Sequence, residues 1–133
     1  MNIKMKKIIA VILLLSTLLL AVACSSGKVD VTGANIVVVN YDFEGTKVNA
    51  NVTDSSAAIV INNVNGKKIT KDAPDGAEYN DGIYFEINKI RFYIDVNGGN
   101  FLKVDDRGYI EIEDFKLDAM AQVFNQYGVS VIR

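Results

Sequence analysis

From Ile36 onward the apolar and polar residues alternate. Val37, Val39, Tyr41 and Phe43 fall on one side of the alternation and Val38, Asn40, Asp42 and Glu44 on the other, the period of two that marks a half-buried β-strand. Glu44-Gly45 interrupts the pattern. Thr46, Val48, Ala50 and Val52 then alternate with Lys47, Asn49, Asn51 and Thr53, so the two runs predict a hairpin. Asp54-Ser55-Ser56 leads into a third predicted strand, Ala57 to Asn62. Asn65-Gly66, a pair that tolerates positive φ at both positions, predicts a tight turn into a further run from Lys67 to Lys71.

The only proline, Pro74, lies in a break from Asp72 to Gly76, after which Ala77 to Tyr79 briefly resumes the pattern. The densest strands follow: Ile83 to Ile87, and Ile90 to Val96, in which Ile90, Phe92, Ile94 and Val96 share a face. Asn97-Gly98-Gly99-Asn100 connects to Phe101 to Val104, and Asp105-Asp106-Arg107-Gly108 to Tyr109 to Ile112. Short strands at this spacing predict an all-β, mostly antiparallel domain, and closure into a small eight-stranded barrel would protect its edges. The period then changes. Leu117, Met120, Ala121, Phe124 and Tyr127 recur at helical steps, with Asp114 placed to cap and Gly128 to terminate, which predicts a helix over 115–127. Val129 to Ile132 has the composition of a last strand.

The chain before these elements reads as an address. A basic start with Lys4, Lys6 and Lys7 precedes an apolar run from Ile8 to Ala23 that ends in Ala21-Val22-Ala23-Cys24-Ser25-Ser26, the layout of a secretory signal and too short for a spanning helix. Small residues directly before Cys24 resemble a bacterial lipobox, whose thiol is acylated, with palmitate-type chains, and becomes the new N-terminus. Ala21-x-Ala23 also suits ordinary signal-peptidase cleavage, which would leave Cys24 a free terminal thiol. The lipoprotein reading divides the chain into a signal over 1–23, a polar tether over 24–34 and one domain over 35–133. It places that domain at the bacterial cell envelope, anchored to a membrane through its N-terminal lipid.

Composition then narrows the chemistry. The chain of 133 residues has no histidine and one cysteine, which removes imidazole metal ligands, Ser-His and Cys-His nucleophiles and internal disulfides. Three of its 14 basic residues lie in the first 23 positions, so the remainder carries five net negative charges. Such a surface is unsuited to nucleic acid. Asp105-Asp106 and Glu111, Glu113 and Asp114 are the candidate carboxylates for acid–base work, but they adjoin predicted turns, where solvated acids are common. Asp95-x-Asn97-Gly98-Gly99-Asn100 departs from a calcium loop: Gly99 holds the fifth place, Asn100 the sixth where glycine is expected, and Asp106 the place of the bidentate Glu. No catalytic residue, cofactor or metal is expected.

One stretch carries a family resemblance. Asp75-Gly76-Ala77-Glu78-Tyr79, followed ten residues after the tyrosine by Lys89, resembles the loop and lysine of the membrane-bound inhibitors of c-type lysozyme, small lipoproteins with an eight-stranded antiparallel barrel. Tyr41 to Val48 and Ala57 to Gly66 are similar in layout to that family's first strands, so the resemblance covers roughly residues 36 to 104. It implies a protein that binds c-type lysozyme and blocks it, with Lys89 entering the cleft between two carboxylates and Gly76, Tyr79 and Asp75 forming the loop. Asp75 stands where the family has serine, and Ile90 where it has glycine. The alternative is a non-catalytic envelope lipoprotein that binds another protein or a small ligand on the same scaffold, or has a structural role.

Overall fold

In a computed structural model, which describes residues 27–132, six strands form one antiparallel sheet and two helices pack on one of its faces. β1 (Val37–Phe43) and β2 (Thr46–Val52) form the predicted hairpin, paired without interruption from Val37↔Val52 to Phe43↔Thr46. Glu44 and Gly45 both take positive φ in its two-residue turn. β3 (Tyr79–Ile87), β4 (Ile90–Asp95), β5 (Phe101–Val104) and β6 (Gly108–Glu111) form a meander. β3 joins β1 on the side away from β2, giving the order β2-β1-β3-β4-β5-β6.

The antiparallel β class with an added C-terminal helix is therefore what the chain adopts, but the sheet has six strands and stays open. The run Ala57 to Asn62 is not a strand. It lies in helix α1 (Ser55–Val64), where Ala57, Val60, Ile61 and Val64 form the buried stripe. Asp54 caps α1 by accepting a hydrogen bond from the Ser56 backbone N–H at 2.9 Å. Asn65-Gly66 ends this helix rather than turning a hairpin. The Asn65 N–H still bonds Ile61, while the Gly66 N–H, at φ +77°, has left the helix for the Val29 carbonyl.

Residues 67–71 form only isolated bridges, Lys28↔Lys68 and Thr70↔Tyr109. The second of these closes the outer edge of β6. Gly27 to Ala34 is not a free tether either. Val29 and Val31 are buried, the Val29 N–H bonds the Lys67 carbonyl, and the Val31 N–H bonds the Asn65 side chain at 2.9 Å.

α2 (Asp114–Asn125) matches the predicted C-terminal helix, with Glu113 rather than Asp114 at its N-cap. Leu117, Met120, Val123 and Phe124 face inward. The Phe124 ring meets Phe85 of β3 at 4.8 Å, and Gln126 donates to the Ser56 hydroxyl, tying α2 to α1. Val129 and Val131 are buried without forming a strand. The core thus lies between the helices and one sheet face, lined by Val37, Val39, Ile83, Phe85, Ile87, Phe92, Ile94, Leu102, Val104 and Ile110. Burial of these side chains stabilises the domain by roughly 1.5–3 kcal/mol each. The opposite face of the sheet carries no helix.

Candidate functional site

That helix-free face is built by register. Asn49 lies opposite Asn40, Asn40 opposite Tyr84, Tyr84 opposite Tyr93, Tyr93 opposite Lys103, and Lys103 opposite Tyr109. Because side chains alternate across a sheet, all six project from the same side, opposite the core residues between them. The row starts polar, with the Asn49 amide donating to Asn40 at 3.0 Å and Asn40 donating to the Gly82 carbonyl at 2.8 Å.

The row then becomes aromatic and cationic. The Tyr84 and Tyr93 rings lie 5.6 Å apart, the Arg91 guanidinium sits 4.4 Å from the Tyr84 ring centre, and the Lys103 ammonium 5.8 Å from that of Tyr93. Hydrogen bonds to Tyr93 and then to the Glu86 carboxylate, 3.2 Å away, push the Arg91 pKa up. Tyr109 continues the platform against Tyr79, ring centres 5.7 Å apart. None of Tyr84, Arg91, Tyr93, Lys103 or Tyr109 stands out in the sequence as a site residue. The signal that reveals them is the Asn88-Lys89 turn: a two-residue connection dictates Ile87↔Ile90, and so sets Tyr84 beside Tyr93.

The residues singled out from sequence fall at two ends of this sheet. Asp75, Gly76 and Tyr79 lie together. The Gly76 carbonyl accepts from the Asn97 side chain at 3.0 Å, and the Tyr79 hydroxyl donates to the Phe101 carbonyl at 2.9 Å. Burial, then the Asp95 carboxylate and Tyr109, raise the Tyr79 pKa well above the ordinary phenol range. Exposed Asp75 borders an open groove of about 750 Å³ whose rim also includes Asp72, Asp95 and Glu111. Asp95 is only 3% exposed and is used structurally, its Oδ1 accepting from the backbone N–H groups of Glu78 and Asn97.

Lys89 is at the other end of the β3–β4 hairpin. It is exposed, with φ +68° beside Asn88 at φ +49°, the pairing of a type I′ turn. Tyr79 opens β3 and Ile87 closes it, which separates Lys89 from the loop by roughly 25 Å. The structure does not bring the loop and the lysine to one point. Lys89 instead shares its end of the sheet with the β5–β6 turn, where the Asp105 carboxylate accepts from the Arg91 N–H at 3.0 Å.

Cys24 lies outside the described residues. Among the described residues no helix is long and apolar enough to cross a membrane, and no group of three or more His, Cys, Asp or Glu is placed to hold a metal. Comparison with known protein families, curated proteins and solved structures finds no match to this chain.

Proposed function

We propose that this chain is a non-catalytic lipoprotein of the bacterial envelope, anchored by lipid on Cys24, that binds a protein partner through the helix-free face of its sheet. The observation that carries the reading is the platform of half-buried Tyr93 and Tyr109 with Lys103 between them and exposed Arg91 laid over Tyr84, which is itself only 9% exposed. Tyrosine and arginine concentrate at the centres of protein interfaces, where rigid amphipathic rings bury area at low entropic cost.

The test is photo-crosslinking in living cells from the full chain. A photoreactive residue at Tyr93, and separately at Tyr109, should yield an adduct with the same protein, identified by mass spectrometry. Ile59, on the exposed side of α1, should yield none. Absence of an adduct at both sheet positions overturns the reading.

Binding of c-type lysozyme is the second reading. It is favoured by the exposed Lys89 at a protruding turn, which forms no ion pair with the described residues. The separation of Lys89 from Asp75 and Tyr79 leaves only one of the two contacts for any single cleft. Excess chain that leaves lysozyme lysis of bacterial walls unchanged, and forms no complex on chromatography, ends this reading. Where inhibition is seen, Lys89→Ala must weaken it more than Lys47→Ala.

A further inference from the structure

We propose that Lys28, Lys68, Lys71 and Arg107 form a docking surface that seats the domain on an anionic lipid bilayer. The proposal rests on the lipid anchor at Cys24. Lys28 and Lys68 are the partners of an isolated antiparallel bridge, both exposed. Two like charges directly opposite across a strand pair are destabilising, and neither lysine forms an ion pair among the described residues. Arg107 reaches the same place, its guanidinium donating to the Lys28 carbonyl at 3.4 Å. Beside it, Lys71, Lys103 and Arg107, together with Asp105 and Asp106, border an open groove of about 430 Å³.

The carboxylates of this region are Asp30, Asp72, Asp105 and Asp106. Asp30 is turned to its own Thr32 N–H, and Asp105 to the Arg91 N–H. With Lys67 and Lys103 the region holds six basic residues against these four carboxylates, a balance of +2 on a mature chain whose net charge is −5.

The place of the cluster names its partner. Gly27 is three residues after Cys24, a reach of about 11 Å at full extension. Gly27 itself is fixed to the domain by its carbonyl, which accepts from the Ile69 N–H. A lipid on Cys24 therefore lets Lys28 and Lys68 reach the headgroups and keeps them within about two Debye lengths. A basic residue at the surface strengthens attachment to an anionic leaflet about fivefold.

The test uses the full chain, expressed with its leader and reconstituted in nanodiscs of phosphatidylcholine alone or with phosphatidylglycerol. Backbone amides of residues 66–71 and 105–109 should exchange more slowly in the phosphatidylglycerol discs, and the difference should vanish in high salt. Lys28→Glu with Lys68→Glu should abolish it, while Lys47→Glu, on β2, leaves it unchanged. Equal exchange in both lipids overturns the proposal, as does slow exchange that survives in the Lys28→Glu, Lys68→Glu chain. The intact mass of the same preparation reports the anchor separately. An unlipidated chain that sediments with phosphatidylglycerol vesicles and not with phosphatidylcholine ones upholds the patch and removes the anchor. A lipidated chain indifferent to lipid charge does the reverse.

Discussion

Thr70 and Tyr109 exchange both backbone hydrogen bonds, at 2.8 Å and 2.7 Å, so a two-bond clasp closes the edge of the sheet that β6 would otherwise leave open. The clasp depends on Gly108. A Cβ at this position would lie closer to the Thr70 carbonyl oxygen than van der Waals contact allows, and the residue sits at φ +138°.

Gly108→Ala is therefore expected to destabilise the domain by about 2–3 kcal/mol, read from urea denaturation. Gly66→Ala is the comparison. It has φ +77° and open space around its Cβ, so only the left-handed backbone penalty of about 1–2 kcal/mol applies. Equal losses in the two variants would mean that the clasp tolerates a side chain.

Asp95 supports the acidic groove from behind. Asp95→Ala leaves the Glu78 and Asn97 N–H groups without their acceptor and should cost about 3 kcal/mol. Asp95→Asn keeps one acceptor oxygen and should cost about half as much. The melting temperatures of the two variants separate these outcomes.

Tyr79 ties stability to pH in the alkaline range. Its folded pKa is raised by burial first, so its contribution is complete below the unfolded phenol value of about 10 and is lost as pH climbs towards the folded one. Tyr79→Phe loses the bond to Phe101 and should be about 1 kcal/mol less stable at pH 7. The gap between native chain and variant should shrink as pH rises past 10, because only the native unfolded chain gains from ionising this residue. Denaturation curves at pH 7, 10 and 11 check it; a constant gap would refute the linkage.

Lys89 occupies a left-handed conformation that glycine adopts without strain. Lys89→Gly should stabilise the domain by about 1 kcal/mol. A stabilised variant that has lost an interaction of the native chain would show that the lysine is kept at the expense of stability.

The anchor proposed at Cys24 has a direct test. Cells fed labelled palmitate should incorporate label into the native chain and not into Cys24→Ser, which should accumulate unanchored. Label retained by Cys24→Ser would place the modification elsewhere.

Much of the sheet was legible because two-residue turns punctuate it. Glu44-Gly45 and Asn88-Lys89 announced their hairpins, and with them the registers of β1 with β2 and of β3 with β4. The C-terminal helix was legible from the spacing of Leu117, Met120 and Phe124. The α1 segment misled because Ile59, Val60, Ile61 and Val64 are β-branched and the apolar run is short, where periodicity is ambiguous. Its spacing of 57, 60, 61 and 64 and its Asp54 cap are helical, and burial against β1 and α2 outweighs the modest propensity cost.

The candidate face was only half legible. Tyr84, Tyr93 and Lys103 follow from local register, but Asn40 joins them through the pairing of β1 with β3, which no nearby turn dictates. The burial of Val29 and Val31 was equally hidden, because a Gly27 to Ala34 segment of small and polar residues gives no sign of what it docks against.

The strand order has a consequence for how the molecule comes into being. β1 and β2 meet across a two-residue turn, and β3 to β6 meet across short connections, but Val39 and Phe85 become neighbours only when these two pieces join. Each piece can form from neighbouring sequence alone, whereas the joining along β1 and β3 must first close the long stretch from residue 43 to residue 79. Non-local pairing of this kind is slower to form than a hairpin, so until it is made both pieces keep an unpaired strand edge.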